Sequence, residues 1–252
     1  MKRKLAVILF LTVFAVFNVS AQKDEPKKPV EVPKTTAVNN ANEDALKLAK
    51  AALEAHGGDK YLKMKTLIVR GSSDITTSAM AQAIPATFVL VFAGDKYRME
   101  LNNPFAPFKQ VYDGKQTSST MRGGFSLPPL NRLGMPLLPK IGETGYVVTA
   151  LPEEKKKKKG FRITSPEGYF TDFYLDDKTN QVKAYDSSYE INGNTVTTSV
   201  EIDKYKTVEG IVIPEKYAQR FDMGQITAYS DFKAKEILVN SEVADDVFTI
   251  QN

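Results

Sequence analysis

The chain has 252 residues, of which 42% are hydrophobic and 25% are charged, with no cysteine and one histidine. Without cysteine the protein has no disulfides, no thiolate metal site and no cysteine nucleophile, and one histidine is too few for a multi-histidine zinc site. The formal net charge of +4 falls to +1 when Lys2, Arg3 and Lys4 are set aside. This balance gives no support for a nucleic-acid partner.

Residues 1–21 have the pattern of a secretory signal peptide. The basic start is followed by an apolar run, 5–17, that is too short to span a bilayer comfortably, and Val19 and Ala21 are small residues where signal peptidase reads. We expect cleavage after Ala21, with a retained membrane anchor as the alternative. Residues 22–40 contain three prolines and several charges, which predicts a disordered linker, and 41–252 are predicted to form a single domain.

A helix is predicted from Ala41 to Ala55. Apolar residues recur at helical spacing, Asn40 is a residue type that caps helix N-termini, and Gly57 supplies a stop beyond the last periodic residue. His56 lies at this helix end. Hydrogen bonding to the exposed carbonyls of the helix end is its simpler role. Catalysis is the alternative, but the sequence shows no carboxylate that would orient the ring for it.

Short β-rich runs separated by turn signals follow this helix. Asp113-Gly114 is a strong hairpin signal, and apolar and polar residues alternate in 96–101 and 195–202, which predicts a sheet with one covered face. About a dozen strands without intervening helices predict a mainly β (α+β) fold, one antiparallel meander large enough to curl. The predicted strands are 66–70, 87–92, 96–101, 109–112, 116–121, 146–151, 161–164, 169–175, 182–188, 195–203, 211–219 and 226–233.

Residues 125–141, which we call the lid segment, are apolar but broken by four prolines and a glycine. This composition excludes a continuous helix or a central strand, and predicts one or two short helical turns packed on the concave face of the sheet. Two roles stay open, a core plug and a movable lid over an apolar cavity. The side chains concerned are Leu130, Leu133, Met135, Leu137 and Leu138.

Motifs in both halves of the chain resemble the outer-membrane lipoprotein carrier family, the LolA-like proteins. The run FVLVFAGDKYRMEL at 88–101 is followed by Pro104 and by VYDGK at 111–115. In the family a strand, a turn, an arginine-bearing strand and a DGK hairpin come in this order. Three later runs agree as well, at 170–185, 205–214 and 237–248. The resemblance spans about residues 43–250.

The resemblance implies an unclosed β-barrel with a helical lid, which holds lipid or the acyl chains of lipoproteins in an apolar periplasmic cavity without catalysis, cofactor or metal. It also implies an arginine that holds the lid closed; Arg98 is the matching residue, with Arg70 and Arg122 as alternatives. Core packing is the alternative role for each predicted lining residue. These residues are Leu67, Val69, Phe88, Leu90, Tyr97, Met99, Leu101, Phe173, Leu175, Val200 and Phe221.

A run of five lysines follows two glutamates on a predicted exposed hairpin tip. It forms either a solvated loop or a transient docking site on an anionic membrane surface. The carboxylates do not have the spacing of a calcium loop, and the sequence has no phosphate-binding glycine motif. The lysines are Lys155, Lys156, Lys157, Lys158 and Lys159.

The sequence as a whole predicts a monomeric periplasmic carrier of lipid or lipoprotein acyl chains toward the outer membrane. An acyl chain gains about 0.8 kcal/mol per buried methylene, so an apolar cavity binds it without specific polar contacts. Two other classes stay open. One is an envelope sensing or protein-binding module of the same fold, which would use exposed edge strands. The other is an enzyme, which would need facing carboxylates in a pocket.

Overall fold

The computed structural model describes residues 35–78, 82–105, 107–120, 127–191, 194–223 and 226–250. The predicted signal peptide, most of the predicted linker and the start of the lid segment lie outside these ranges. Helix α1 spans Thr35–Ala55, and the short helix α2 spans Asp59–Leu62. The prediction that Asn40 caps the first helix is wrong, because α1 begins at Thr35 and runs through Asn40.

In the described part of the chain twelve strands follow these helices, and each of them overlaps one of the predicted strands. The segment after β5 forms two 3₁₀ helices, Leu130–Arg132 and Met135–Lys140, which confirms the short helical turns predicted for the lid segment. Two further 3₁₀ helices span Glu153–Lys155 and Asp245–Phe248. The strands are β1 Thr66–Thr77, β2 Ile84–Ala93, β3 Lys96–Asn102, β4 Phe108–Tyr112, β5 Thr117–Ser119, β6 Val147–Thr149, β7 Gly160–Thr164, β8 Phe170–Leu175, β9 Val182–Ile191, β10 Asn194–Val208, β11 Ile211–Met223 and β12 Ile226–Val239.

All twelve strands belong to one antiparallel sheet with the order β5-β4-β3-β2-β1-β12-β11-β10-β9-β8-β7-β6. The chain runs outward from β1 to the β5 edge, crosses to the β6 edge through the lid segment, and returns strand by strand to β12, which pairs with β1. The two edge strands have three residues each and do not pair with one another in the described part of the chain. The predicted mainly β, unclosed sheet is therefore confirmed.

One face of the sheet, which we call the inner face, carries most of the hydrophobic core. Directly opposed residues of neighbouring strands share a face; Val69 of β1, for example, is opposed by Ile237 of β12 and Leu90 of β2. Helix α1 packs against this same core through small residues, Ala49 and Ala52, which are fully buried. The outer face carries a second, smaller apolar cluster beside the 3₁₀ helix Asp245–Phe248.

His56 connects the end of α1 to the sheet. The fully buried ring donates from Nδ1 to the carbonyl oxygen of Val212 at 2.9 Å, and its Nε2 accepts the N–H of Val182 at 3.0 Å. Burial lowers the pKa of the imidazole, so the ring is neutral with its proton on Nδ1. Its role is structural, with strand backbone groups as partners instead of the helix carbonyls that the sequence suggested.

Candidate functional site

The inner face brings together all eleven residues predicted to line a cavity. Tyr97, Phe173 and Leu175 are fully buried and form closed core, whereas Leu90 and Leu101 keep part of their surface accessible. Cross-strand pairing places the remaining predicted residues on the same face. The inner face therefore combines packed core with apolar side chains that are still accessible.

The lid segment packs its apolar side chains onto this inner face. Leu137 and Leu138 are fully buried, Met135 is 8% exposed, and all three belong to the same core cluster as α1 and the inner-face residues. Leu130 and Leu133 are half-buried. The lid segment therefore covers part of the inner face through Met135, Leu137 and Leu138, whereas Leu130 and Leu133 lie closer to the surface.

Arg132 fastens the lid segment to two turns of the sheet. Its Nη1 and Nη2 donate to the two carboxylate oxygens of Asp95 at 3.0 and 3.1 Å, and its Nε donates to Glu167 Oε1 at 3.0 Å. Asp95 belongs to the turn between β2 and β3, and Glu167 to the turn between β7 and β8. The hydrogen bond to Asp95 raises the pKa of Arg132 and lowers that of Asp95. We call this arrangement the Arg132 latch.

Backbone groups of the lid segment make two further tethers. The N–H of Gly134 donates to Thr171 Oγ1 at 3.0 Å, and Tyr61 Oη donates to the carbonyl oxygen of Met135 at 3.1 Å. Gly134 has a φ of 63° and lies against the ring of Tyr185, where a Cβ would approach the ring Cε2 to 2.8 Å. A close approach between lid and sheet at this point therefore requires glycine.

The prediction that Arg98 holds the lid is wrong. Arg98 lies on the outer face, because its strand neighbours Tyr97 and Met99 point inward, and its Nη1 donates to the carbonyl oxygen of Val247 at 2.6 Å. Its carboxylate partner is Glu100. Of the two alternatives, Arg70 pairs with a glutamate of β12 on the outer face, and Arg122 lies outside the described residues.

Lys155 is not available for docking on a membrane, contrary to the prediction. Its Nζ donates to Asp172 Oδ2 at 2.8 Å and to Asp186 Oδ2 at 3.1 Å, and the fully buried Asp172 is also held by Arg162. Tyr174 Oη donates to Asp186 Oδ2 at 2.6 Å, and burial raises the pKa of this phenol to about 12. The network fixes the start of the lysine run onto the outer face of the sheet.

The other four lysines are less constrained than Lys155. Lys159 Nζ donates to the carbonyl oxygen of Asp177 at 2.9 Å, and Lys158 lies over the ring of Tyr174 at 4.2 Å. Lys156, Lys157 and Lys158 are exposed. Contact with an anionic surface stays a prediction for these three residues.

A groove of about 610 Å³ lies on the outer face across β1, β12, β11 and β10. Its exposed lining includes Asp74, Asp231 and Glu201 together with Lys216 and Lys233. The groove is charged and lies on the face opposite to the predicted apolar cavity. It therefore does not correspond to the site that the sequence indicates.

Two tyrosines that were not predicted from the sequence contact the lid segment: Tyr61 donates to the carbonyl oxygen of Met135, and the ring of Tyr185 lies against Gly134. Tyr185 of β9 is close enough to Tyr61, Tyr205 and Tyr217 to raise their pKa values in addition to the larger effect of burial. The β-strand alternation could have found Tyr185, because it is opposed by the predicted inward residues Phe173 and Val200. Its two-residue period gives that side chain the same face.

Among the described residues, no group of three histidine, aspartate or glutamate side chains is placed to hold a metal ion. The described helices are also all too short or too polar to cross a bilayer.

Comparison with known proteins assigns the fold. No protein-family model matches the sequence, and no curated protein matches it. Among solved structures, a LolA superfamily protein from Nitrosomonas europaea aligns with a TM-score of 0.51 at 10% identity, covering 83% of this chain and 98% of that one. A DUF1329 family protein from Desulfovibrio piger aligns with a TM-score of 0.47 at 10% identity, covering 83% and 97%. The chain thus has a LolA-like fold, as the sequence motifs predicted.

Proposed function

We propose that this protein is a periplasmic carrier that holds lipid, or the acyl chains of lipoproteins, between the inner face and the lid segment for transport toward the outer membrane. The observation that carries the proposal is an apolar lid fastened by polar tethers. Leu137 and Leu138 supply apolar contact with the inner face, and the Arg132 latch fastens the segment at its side. Such a lid can exchange its contacts for those of a cargo.

The energetics of opening favour this exchange. The ion pairs of the Arg132 latch involve partly exposed carboxylates and contribute about 1 kcal/mol or less each, and the two buried hydrogen bonds of Gly134 and Met135 contribute a net of about 1 kcal/mol each, because water replaces the lost partner once the segment opens. The apolar side chains of the lid segment lose more on leaving the core, but an acyl chain that enters restores about 0.8 kcal/mol for each methylene it buries. A chain of ordinary length therefore compensates for the displaced leucine and methionine contacts.

The LolA-like fold supports the carrier function. The surroundings of the candidate acid and base groups also favour a role without catalysis. The single histidine is occupied on both ring nitrogens by backbone groups. The charged residues of the latch and of the Lys155 network are paired with one another. Neither group offers a free acid and base facing a common pocket.

Native mass spectrometry with organic extraction tests the proposal. The mature chain, residues 22–252, is purified without detergent from a bacterial periplasm, and phospholipid or acylated peptide is expected to copurify. Leu133→Gln, in the half-buried part of the lid segment, should reduce the amount bound, whereas Leu62→Gln, at an exposed leucine of α2, should not. A protein that purifies without bound lipid or acylated peptide, and that also fails to take up a fluorescent fatty acid, would contradict the carrier function.

One observation favours a second candidate, an envelope sensing or protein-binding module of the same fold. Val147 on the edge strand β6 is 54% exposed, and an exposed edge can pair with a strand of another protein. The three-residue length of β6 limits such pairing. A protein that purifies without lipid, and that binds a partner protein only when Val147 is not replaced by proline, would support the protein-binding module over the carrier.

A further inference from the structure

The hairpins at one end of the sheet are unusually poor in charge. Among the described strands, five hairpins turn at this end, and four of them are consecutive in the sheet order: β3/β4, β1/β2, β11/β12 and β9/β10. The ranges 75–94, 101–108, 191–200 and 223–230, which contain these four connections, include no Lys, Arg, Asp or Glu, although 25% of the chain is charged. The fifth hairpin, β7/β8, carries Glu167, which is bonded in the Arg132 latch.

The connections at the opposite end of the sheet have the reverse character. Each described connection between consecutive strands at that end contains at least one acidic residue, and the lysine run lies there as well. Turns in contact with water usually carry polar and charged residues, so the loss of charge from four neighbouring hairpins indicates that they meet something other than water. The acidic residues of the opposite end include Asp95, Asp113, Glu153, Asp176 and Glu209.

The four hairpins form one continuous surface. The N–H of Ser78 donates to the carbonyl oxygen of Thr227 at 3.0 Å, which joins the β1/β2 hairpin to the β11/β12 hairpin. On one side β2 and β3 pair as far as Thr87 and Asn102, and on the other side β10 pairs with β11. We call the described part of this surface the uncharged rim, which comprises residues 75–78, 82–87, 101–105, 195–197 and 227–229.

The uncharged rim exposes two aromatic rings. Phe105 is 64% exposed and Tyr229 is 47% exposed, and they are two of the four large apolar residues exposed in the described part of the chain. The side chain of Asn103 accepts the N–H of Phe105 at 3.0 Å, which fixes the turn that presents this ring. Tyr229 follows the start of β12 at Ile226 by three residues, which places it within about 10 Å of the hairpin. A single exposed apolar side chain is ordinary, but two rings on a surface without charge are a candidate contact site.

The composition of the rim favours a lipid surface over another protein. Pro85, Pro104 and Pro107 lack the backbone N–H that strand addition would use, and the rim has no charge to orient a protein partner. Arg220 and Asp222, which border the rim on β11, neutralise each other in an ion pair at 3.0 Å. The complement of such a surface is one without net charge. Aromatic rings among small apolar and hydroxyl side chains fit the interfacial region of a bilayer, where one end of the ring is apolar and the other is wet.

We propose that the uncharged rim docks on the interfacial region of a lipid bilayer, with the ring of Phe105 inserted among the headgroups. The inference goes beyond the proposed carrier function and does not depend on cargo binding. Docking at the rim leaves the charged end of the sheet in water. It is distinct from docking through Lys156, Lys157 and Lys158, because these lysines lie at the opposite end and would require anionic lipid.

Tryptophan fluorescence tests this docking directly, because the chain contains no tryptophan. In Phe105→Trp the emission should shift to the blue when phosphatidylcholine vesicles are added. Phosphatidylglycerol vesicles should bind with similar affinity, and high salt should not reverse the shift, because no charge is involved. Leu62→Trp is the matched control. Leu62 is 46% exposed, but it lies on α2, whose Lys60 is packed against Gly210 at the charged end, and its emission should stay unchanged.

Vesicle cosedimentation measures how much the ring contributes. Phe105→Ser should lower partitioning into phosphatidylcholine vesicles about tenfold, because burial of an aromatic ring contributes a factor of about ten or more. Its melting temperature should match that of the unmodified protein, because the ring is exposed. The triple variant Lys156→Ser, Lys157→Ser, Lys158→Ser should partition as the unmodified protein does.

Three outcomes would overturn the proposal. Binding that occurs only with phosphatidylglycerol, and that is lost at high salt and in the triple lysine variant, would assign the contact to the lysines. Emission of Phe105→Trp that responds to neither vesicle would exclude lipid and leave a protein as the partner of the rim. Equal blue shifts in Phe105→Trp and Leu62→Trp would show adsorption without a preferred end.

Discussion

Gly134 joins the two 3₁₀ helices of the lid segment with φ and ψ of 63° and −147°, a conformation that side chains with a Cβ rarely adopt. Its α-carbon also lies against Tyr185, so that an added Cβ would be 2.8 Å from the ring. Backbone strain and a steric clash therefore act at the same position. Both effects restrict this position, where the lid segment contacts Tyr185, to glycine.

Gly134→Ala should lower the free energy of unfolding by about 1–3 kcal/mol, and more if the ring of Tyr185 cannot move. Urea denaturation measures this change. Gly142→Ala is the matched control, because Gly142 also has a positive φ, 90°, but an added Cβ there would meet no atom within 4 Å. Equal losses in the two variants would show that the contact with Tyr185 contributes nothing.

At the scale of elements, the lid segment is held by the Arg132 latch, which bridges turns from the two halves of the sheet. Arg132 is 11% exposed, whereas Asp95 and Glu167 are 49% and 45% exposed, so opening returns the carboxylates to water at small cost. The latch therefore holds the lid segment closed but allows it to open at a small cost in free energy. Its strength should therefore set how often the inner face becomes accessible.

Arg132→Met should increase amide hydrogen exchange in residues 130–141 and accelerate the release of bound probe several-fold, because the side chain keeps its apolar stem and loses its charge. Hydrogen exchange with mass spectrometry locates the effect. Arg98→Met is the control: Arg98 bonds to Val247 on the outer face and should leave exchange in the lid segment unchanged. The reverse result would restore to Arg98 the lid-holding role that the family resemblance implied.

The elements could be predicted from sequence because they depend on local periodicity and turn residues. Strand alternation and turn signals such as Asp113-Gly114 located every strand, but β10 was predicted to end at 203 and continues to Val208 past an irregularity near Lys204 that interrupts the alternation. The start of α1 was missed because Thr and Asn are typical of helix caps. The latch could not be predicted, because Arg132 and Asp95 are 37 residues apart and meet only in the folded sheet.

At the scale of the whole molecule, the unclosed sheet depends on elements that connect its distant strands. The lid segment joins the two edges, and His56 attaches the end of α1 to both β9 and β11 through Val182 and Val212. Protonation of His56 would remove the acceptor at Nε2 and place a charge in the core. The stability of the domain is therefore linked to one imidazole.

The free energy of unfolding should decrease as the pH falls below about 6.5, the ordinary pKa of histidine in the unfolded chain. The folded pKa of His56 is lowered by burial, so the unfolded state binds a proton that the native state does not, and stability falls by up to about 1.4 kcal/mol for each pH unit until the folded pKa is reached. Urea denaturation between pH 5 and 8 measures this slope.

The chain has one histidine, and the carboxyls of Asp95 and Asp186 titrate below this range because their pKa values are lowered. His56→Gln should be less stable at pH 8 and should lose the slope; an unchanged slope in this variant would assign the pH dependence to another group.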